Sequence, residues 1–219
     1  MNDLNVSIIA SVALMFGLLI SFYPGDSKSG QVVADDSNPF QLEVITLLGD
    51  KAKVLPEFEL IDHNKQILDN NRLRGQWSLM FFGYTSCPDV CPTTLNTINH
   101  TVNAIDDPDV REAVRVYFVS VDPQRDKLDL LATYMNYFNS EFTGATADID
   151  KLKILTSALG VSHKIKKTSE SDLTYSVSHS GFIVLIDPDV QFTGLFFSSL
   201  DNVQAIARDM TRLVKHTDN

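Results

Sequence analysis

Cysteine is scarce in this 219-residue chain, which has two, Cys87 and Cys91. That number excludes a scaffold stapled by several disulfides. Basic charge is short as well. Eighteen Lys and Arg stand against 28 Asp and Glu, a formal net charge of -10 and a sequence pI near 4.8. Such a surface repels phosphate backbones, so no nucleic-acid partner is expected. No Lys or Arg precedes the first apolar run, and Asp3 lies there instead. That is poor chemistry for a cleaved signal peptide. The chain has no internal repeat, so nothing points to a repeat architecture.

What is present begins with Val6 to Tyr23, 18 residues without a charge. At ~1.5 Å per residue they span roughly 27 Å, enough for a tilted crossing of a thin bilayer. Residues 1–23 are therefore expected to be an uncleaved N-terminal membrane anchor, with a signal peptide as the alternative. Residues 24–50 hold Gly25, Gly30 and the polar run Asp35-Asp36-Ser37-Asn38-Pro39, as a flexible tether would. Residues 51–216 remain for one folded domain. About 165 residues are enough for one sizeable core.

Within that domain the pattern alternates. Glu57 to Ile61 and Gln66 to Leu68 flank the turn residues Asp62-His63-Asn64-Lys65, which predicts an N-terminal hairpin. Ser78 to Gly83 is a continuous apolar run, as in a strand buried on both faces. Leu95, Ile98, Val102 and Ile105 recur at helical spacing, with Thr93 as a candidate N-cap. Val114 to Val121 reads as a strand. Asp126 is placed to cap a helix from Lys127 to Phe138. A strand at Phe142 to Ala145 and a helix from Ile149 to Leu159, closed by Gly160, follow. Gly181 to Ile186 and Gln191 to Phe196 form a second antiparallel pair. Val203, Ile206, Ala207, Met210 and Leu213 mark a last helix. The fold class is α/β, a central sheet flanked by helices. A strand, a turn with two cysteines and then a helix is the thioredoxin-like arrangement.

The cysteines sit four positions apart, in Phe81-Phe82-Gly83-Tyr84-Thr85-Ser86-Cys87-Pro88-Asp89-Val90-Cys91-Pro92. A helix N-terminus lowers the cost of a thiolate, and the thiolate is both nucleophile and metal ligand. Thioredoxin-type oxidoreductases place two residues between their cysteines, and here there are three. Two sulfurs on one metal lie roughly 4 Å apart, against about 2.05 Å in a disulfide. The spacing suits a metal chelate and still permits a disulfide. Two thiolates leave a metal undercoordinated, so a histidine is the natural third donor. His179, just before the strand at Gly181, is the best placed of the five. His163 is second. His63 in a turn, His100 in a helix and His216 in the tail read as solvated or hydrogen-bonded. A peroxiredoxin would carry Thr or Ser three residues before its reactive cysteine. Tyr84 and Pro88 occupy those places.

The segment from Phe81 to Leu95 resembles the signature of the Sco/SenC family, copper-binding assembly factors for cytochrome c oxidase. Ser120-Val121-Asp122-Pro123-Gln124-Arg125-Asp126 is similar to that family's second motif. Tyr175-Ser176-Val177-Ser178-His179-Ser180 resembles the segment carrying its histidine ligand. The likeness runs from about Pro56 to Leu213. It implies a thioredoxin-like domain facing the periplasm or the mitochondrial intermembrane space. It implies one copper ion held by Cys87, Cys91 and His179, a copper donor protein, and delivery to the binuclear site of cytochrome c oxidase subunit II. A thiol-disulfide oxidoreductase acting on the target's cysteines is the alternative reading. Two positions depart from the family pattern. Ser178 stands where an Asp usually precedes the ligand histidine, and His163 stands where an aromatic is common. Asp122 and Arg125 are expected to fix a loop, and Trp77 to lie in the core.

Overall fold

The computed structural model describes residues 42–166, 176–179, 181–197 and 199–217. In chain order the elements begin with β1 (Thr46–Leu47), β2 (Lys53–Val54), β3 (Glu59–Asp62), β4 (Ile67–Asp69), α1 (Asn70–Leu73) and β5 (Trp77–Gly83). Then come α2 (Val90–Asn103), α3 (Pro108–Ala113), β6 (Val114–Ser120), α4 (Leu128–Phe138), β7 (Thr143–Thr146) and α5 (Ile149–Ala158). The last are β8 (His163–Lys166), β9 (Ser176–His179), β10 (Ile183–Ile186), β11 (Gln191–Phe196) and α6 (Val203–Thr217).

Strand β5 is the spine, with all seven residues buried. Trp77, Leu79 and Phe81 join one apolar cluster, and Met80 and Phe82 join the other. Successive side chains leave a strand on opposite faces, so each face of β5 has its own core. This is why its sequence is apolar without alternation. β5 pairs in parallel with β6 from Trp77↔Val114 to Gly83↔Ser120, and β6 pairs in parallel with β7. β10 runs antiparallel to β5, and β11 returns along β10. The spatial order among the described residues is β1, β11, β10, β5, β6, β7, β3, β4, with β2 also on β11. Leu95, Ile98 and Val102 of α2, Leu131 and Met135 of α4, and Ile206 and Met210 of α6 fill one side. Leu152 and Leu155 of α5 and Leu73 of α1 fill the other. The result is the mixed α/β, thioredoxin-like arrangement the sequence predicts.

The hairpin forms where expected, with Glu59↔Asp69 and Ile61↔Ile67 in register. Asp62 Oδ1 accepts the N–H of Asn64 and of Gln66, each at 2.8 Å, and Lys65 adopts φ 63°. It lies at the far edge of the sheet, because Ile61 pairs with Thr146 of β7.

Three expectations are corrected. The helix after the cysteines begins at Val90, not after Thr93, so Cys91 is already helical. Asp126 does not cap α4: Lys127 holds the N-cap position, and the Asp126 carboxylate is turned elsewhere. The boundary at residue 50 falls inside the packed body. The buried Asp209 carboxylate accepts the N–H of Glu43, Val44 and Ile45 at 2.8–3.1 Å, and β1 pairs with β11. The expected anchor at 1–23 and the tether up to 41 lie outside the described residues. Among the described residues, no helix is long and apolar enough to cross a membrane.

Candidate metal centre

The cysteines lie where parallel strands β5 and β6 end together. The Val121 N–H donates to the Gly83 carbonyl at 2.9 Å, which ties the two strand ends. The chain then turns, with the Cys87 N–H donating to the Tyr84 carbonyl at 3.2 Å. Helix α2 starts three residues later and places Cys91 in its first turn. The Cys91 N–H donates to Cys87 Sγ at 3.4 Å. This is one of the unpaired N–H groups at a helix start, spent on a sulfur instead of a capping oxygen. Asp89, at the N-cap position, makes no side-chain cap bond. Both cysteines are free thiols.

Their surroundings differ. Cys91 is fully buried and Cys87 half-buried. Burial pushes the Cys91 thiol well above its ordinary value. The bond to Cys87 and the charges of Cys87 and Asp126 push the same way, while a backbone hydrogen bond from Tyr84 opposes them. Gly83 makes room for this sulfur. A Cβ there would stand 2.8 Å from Cys91 Sγ and 2.7 Å from Cε2 of Phe118.

A polar ring surrounds the loop. Asp126, fully buried, accepts the Thr85 N–H at 2.8 Å, the Thr85 hydroxyl at 2.6 Å and the Ser120 hydroxyl at 2.6 Å. Asp122, also buried, is ion-paired with Arg125, whose guanidinium lies 5.5 Å over the Tyr84 ring. That pair fixes the loop after β6, as the sequence suggests. Tyr134 of α4 packs against Phe118, ring centroids 5.6 Å apart. Its buried hydroxyl has no hydrogen-bond partner among the described residues. Burial raises its pKa, and the charges of Cys91, Cys87 and Asp126 raise it further.

The histidines separate. His63 is held in the hairpin turn: its Nδ1 accepts the Gly144 N–H at 3.0 Å and its Nε2 lies 3.1 Å from Asn64 Nδ2. His100 lies on α2 and His216 in the last turn of α6. His163 and His179 are Cα partners in the small two-stranded sheet of β8 and β9, a pair the sequence reading missed. Their side chains lie outside the described residues. His179 is four residues before Ile183, which pairs with Phe81 near the end of β5 from which the cysteine loop departs. Among the described residues, no three His, Cys, Asp or Glu side chains form a metal site. The structure thus brings Cys87 and Cys91 together.

The sequence reading also missed Gly83, Thr85 and Tyr134, and misassigned Asp126. A signal was available in the second motif. A Ser and an Asp six residues apart at a strand end are close enough to bond each other, as Ser120 and Asp126 do.

The SCO1/SenC family model matches residues 48–215. The SCO2-like protein of Rickettsia prowazekii is 30% identical over 96% of this chain and 93% of its own length. Among solved structures, Bradyrhizobium japonicum ScoI with copper bound is 31% identical, with a TM-score of 0.65 over 73% of this chain and 98% of that one. Arabidopsis thaliana ScoI with copper bound is 25% identical, with a TM-score of 0.64 over 73% and 99%. The match spans both the cysteine loop and the polar residues that brace it, and the chain belongs to the SCO1/SenC family.

Proposed function

We propose that this protein is a copper metallochaperone. It binds one copper ion through Cys87, Cys91 and His179 and delivers it to the binuclear copper site of cytochrome c oxidase subunit II. The observation that carries the reading is the sulfur pair: two free thiols joined by the Cys91 N–H to Cys87 Sγ bond, at the exposed end of the sheet. Thiolates are soft donors that suit Cu(I), and an imidazole helps hold Cu(II) as well. The donor set fits copper with one position left to His179. Similarity to two ScoI structures with copper bound supports the choice of metal. The apolar Val6 to Tyr23 run would anchor the domain to a membrane, facing the periplasm or the mitochondrial intermembrane space. A copper donor protein would supply the ion.

The test is transfer. Copper-loaded chain mixed with the metal-free soluble domain of oxidase subunit II should lose its copper to that domain and generate its binuclear-site absorption. Retention of the ion by the loaded chain, at equal thiol content, would contradict delivery.

One observation favours a second reading. Cys87 is the more exposed sulfur and receives an N–H, while Cys91 is buried behind it. That is the layout of an attacking and a resolving thiol. A thiol-disulfide oxidoreductase would reduce an oxidised subunit II domain with no copper present, and would do so equally well after His179→Ala.

A further inference from the structure

We infer that Asp126 is a positioning residue which biases the copper held beside the cysteine loop toward Cu(II) over Cu(I). The inference rests on the copper reading above and names what sets the oxidation state of that site.

Asp126 is fully buried in the loop between β6 and α4. Its Oδ2 accepts the Thr85 N–H and the Ser120 hydroxyl, and its Oδ1 accepts the Thr85 hydroxyl. Ser120 Oγ already accepts the Asp122 N–H at 3.1 Å, which leaves its proton for Asp126. Both hydroxyl contacts are 2.6 Å, the length of a hydroxyl donating to a charged carboxylate. A carboxyl that accepts three donors is acting as the ionised form.

Among the described residues no cation neutralises it. The basic neighbours in sequence are turned away: Arg125 pairs with Asp122, and Lys127 Nζ donates to the Pro123 carbonyl at 2.8 Å. Among the described residues, no Lys, Arg or His forms an ion pair with Asp126. Buried charges are ordinarily paired or lie beside a metal. Here the residue it grips, Thr85, precedes Cys87 by two positions, so the two Cα atoms are within ~7 Å. Through Thr85 the carboxylate is therefore held beside the loop that carries Cys87.

The consequence follows from charge. Reducing Cu(II) to Cu(I) adds one electron to the site. A fixed negative charge nearby opposes that addition, so it strengthens Cu(II) binding relative to Cu(I). At roughly 10 Å and an effective dielectric near 20, one such charge changes a ratio of affinities by a little more than tenfold. The same carboxylate also holds the loop in place, so position and charge must be separated.

Asp126→Asn separates them. The amide has the same shape, and its oxygen can accept the Thr85 N–H and the Ser120 hydroxyl. Its NH2 can donate to the Thr85 oxygen, so the bonds persist while the charge goes. Thr85→Val does the reverse, removing one anchoring bond and leaving the charge. The full chain would be titrated with Cu(I) and with Cu(II), each against a competing chelator. Asp126→Asn should lower the Cu(II)-to-Cu(I) affinity ratio about tenfold, equivalent to raising the one-electron potential by about 59 mV. Thr85→Val should weaken both ions and leave the ratio within about threefold. Should Asp126→Asn not fold, Thr85→Lys places an ammonium beside the intact carboxylate and should move the ratio in the same direction. A ratio unmoved by Asp126→Asn, or by Thr85→Lys in its place, overturns the inference while leaving the copper site intact. An unsubstituted chain that binds neither ion overturns the copper reading and the inference with it.

Discussion

The N–H of Cys91 is aimed at the sulfur of Cys87, 3.4 Å away, so the first turn of α2 and the half-buried thiol form one unit. The unit is asymmetric. Cys91 belongs to the same buried cluster as Phe81, Leu95 and Phe118, whereas Cys87 packs against its edge. A small alkylating agent should modify Cys87 at least ~10 times faster than Cys91, because the buried thiol is both inaccessible and hard to ionise. Peptide mapping by mass spectrometry after timed exposure to iodoacetamide reads this. Equal rates at the two positions would mean that the enclosure of Cys91 is wrong.

Gly83 has a steric role. A methyl group there meets a ring carbon of Phe118 at 2.7 Å and Cys91 Sγ at 2.8 Å, and both lie in the packed core. Gly83→Ala should cost about 1–3 kcal/mol, the usual price of overpacking. Its urea unfolding midpoint should fall accordingly, and copper affinity should fall with it as the sulfur is displaced. An unchanged midpoint would show that the strand end has more room than the distances allow.

The reduced, metal-free domain should weaken in alkali. Burial raises the Cys91 thiol above its ordinary 9.0, and the Tyr117 and Tyr134 phenols above 10.0. For Tyr117 the nearby Arg72 and Arg115 charges pull the other way without cancelling the effect. Each group keeps its proton longer in the folded state than in the unfolded one. Its contribution is therefore complete below the unfolded value and is lost as pH rises through the folded one. Urea midpoints should hold to about pH 9 and then decline. Cys91→Ala should make the early part of that decline shallower. A midpoint that rises from pH 9 to 10.5 would contradict the burial of all three groups.

Asp209 fastens the start of the described chain. Its fully buried carboxylate takes the N–H groups of Glu43, Val44 and Ile45, and Arg208 pairs with Glu43 beside it at 2.7 Å. Asp209→Ala leaves those donors without their acceptor and should cost about 3 kcal/mol. Limited proteolysis should then cut near residue 45 much faster than in the unsubstituted chain. Unaltered cleavage would mean that this clamp does not set the boundary of the packed body.

Much of the fold was legible in the sequence because its signals are local. The apolar run at β5, the turn at Asp62 to Lys65 and the helical spacing of Leu95, Ile98 and Val102 each report on their own segment. Asp126 was misread because an Asp before an apolar helix has the form of a cap. Of its actual partners, Ser120 lies six residues before it, but Thr85 follows β5 and comes near only through the parallel pairing of β5 with β6. The docking of residues 43–47 was hidden for the same reason, since their anchor lies more than 160 positions away on α6. The two cysteines could be found by their spacing alone. Pairing His163 with His179 in β8 and β9 could not, because the short polar strands carry no apolar alternation.

The central claim is that Cys87, Cys91 and His179 converge on one copper ion. X-ray absorption at the copper edge, on the singly loaded full chain and its His179→Ala variant, tests it most directly. The account predicts two sulfur scatterers at about 2.2–2.3 Å and one imidazole nitrogen near 2.0 Å, with the nitrogen lost in the variant. Two sulfurs with no imidazole in the unsubstituted chain, or a spectrum the substitution leaves unchanged, would contradict it.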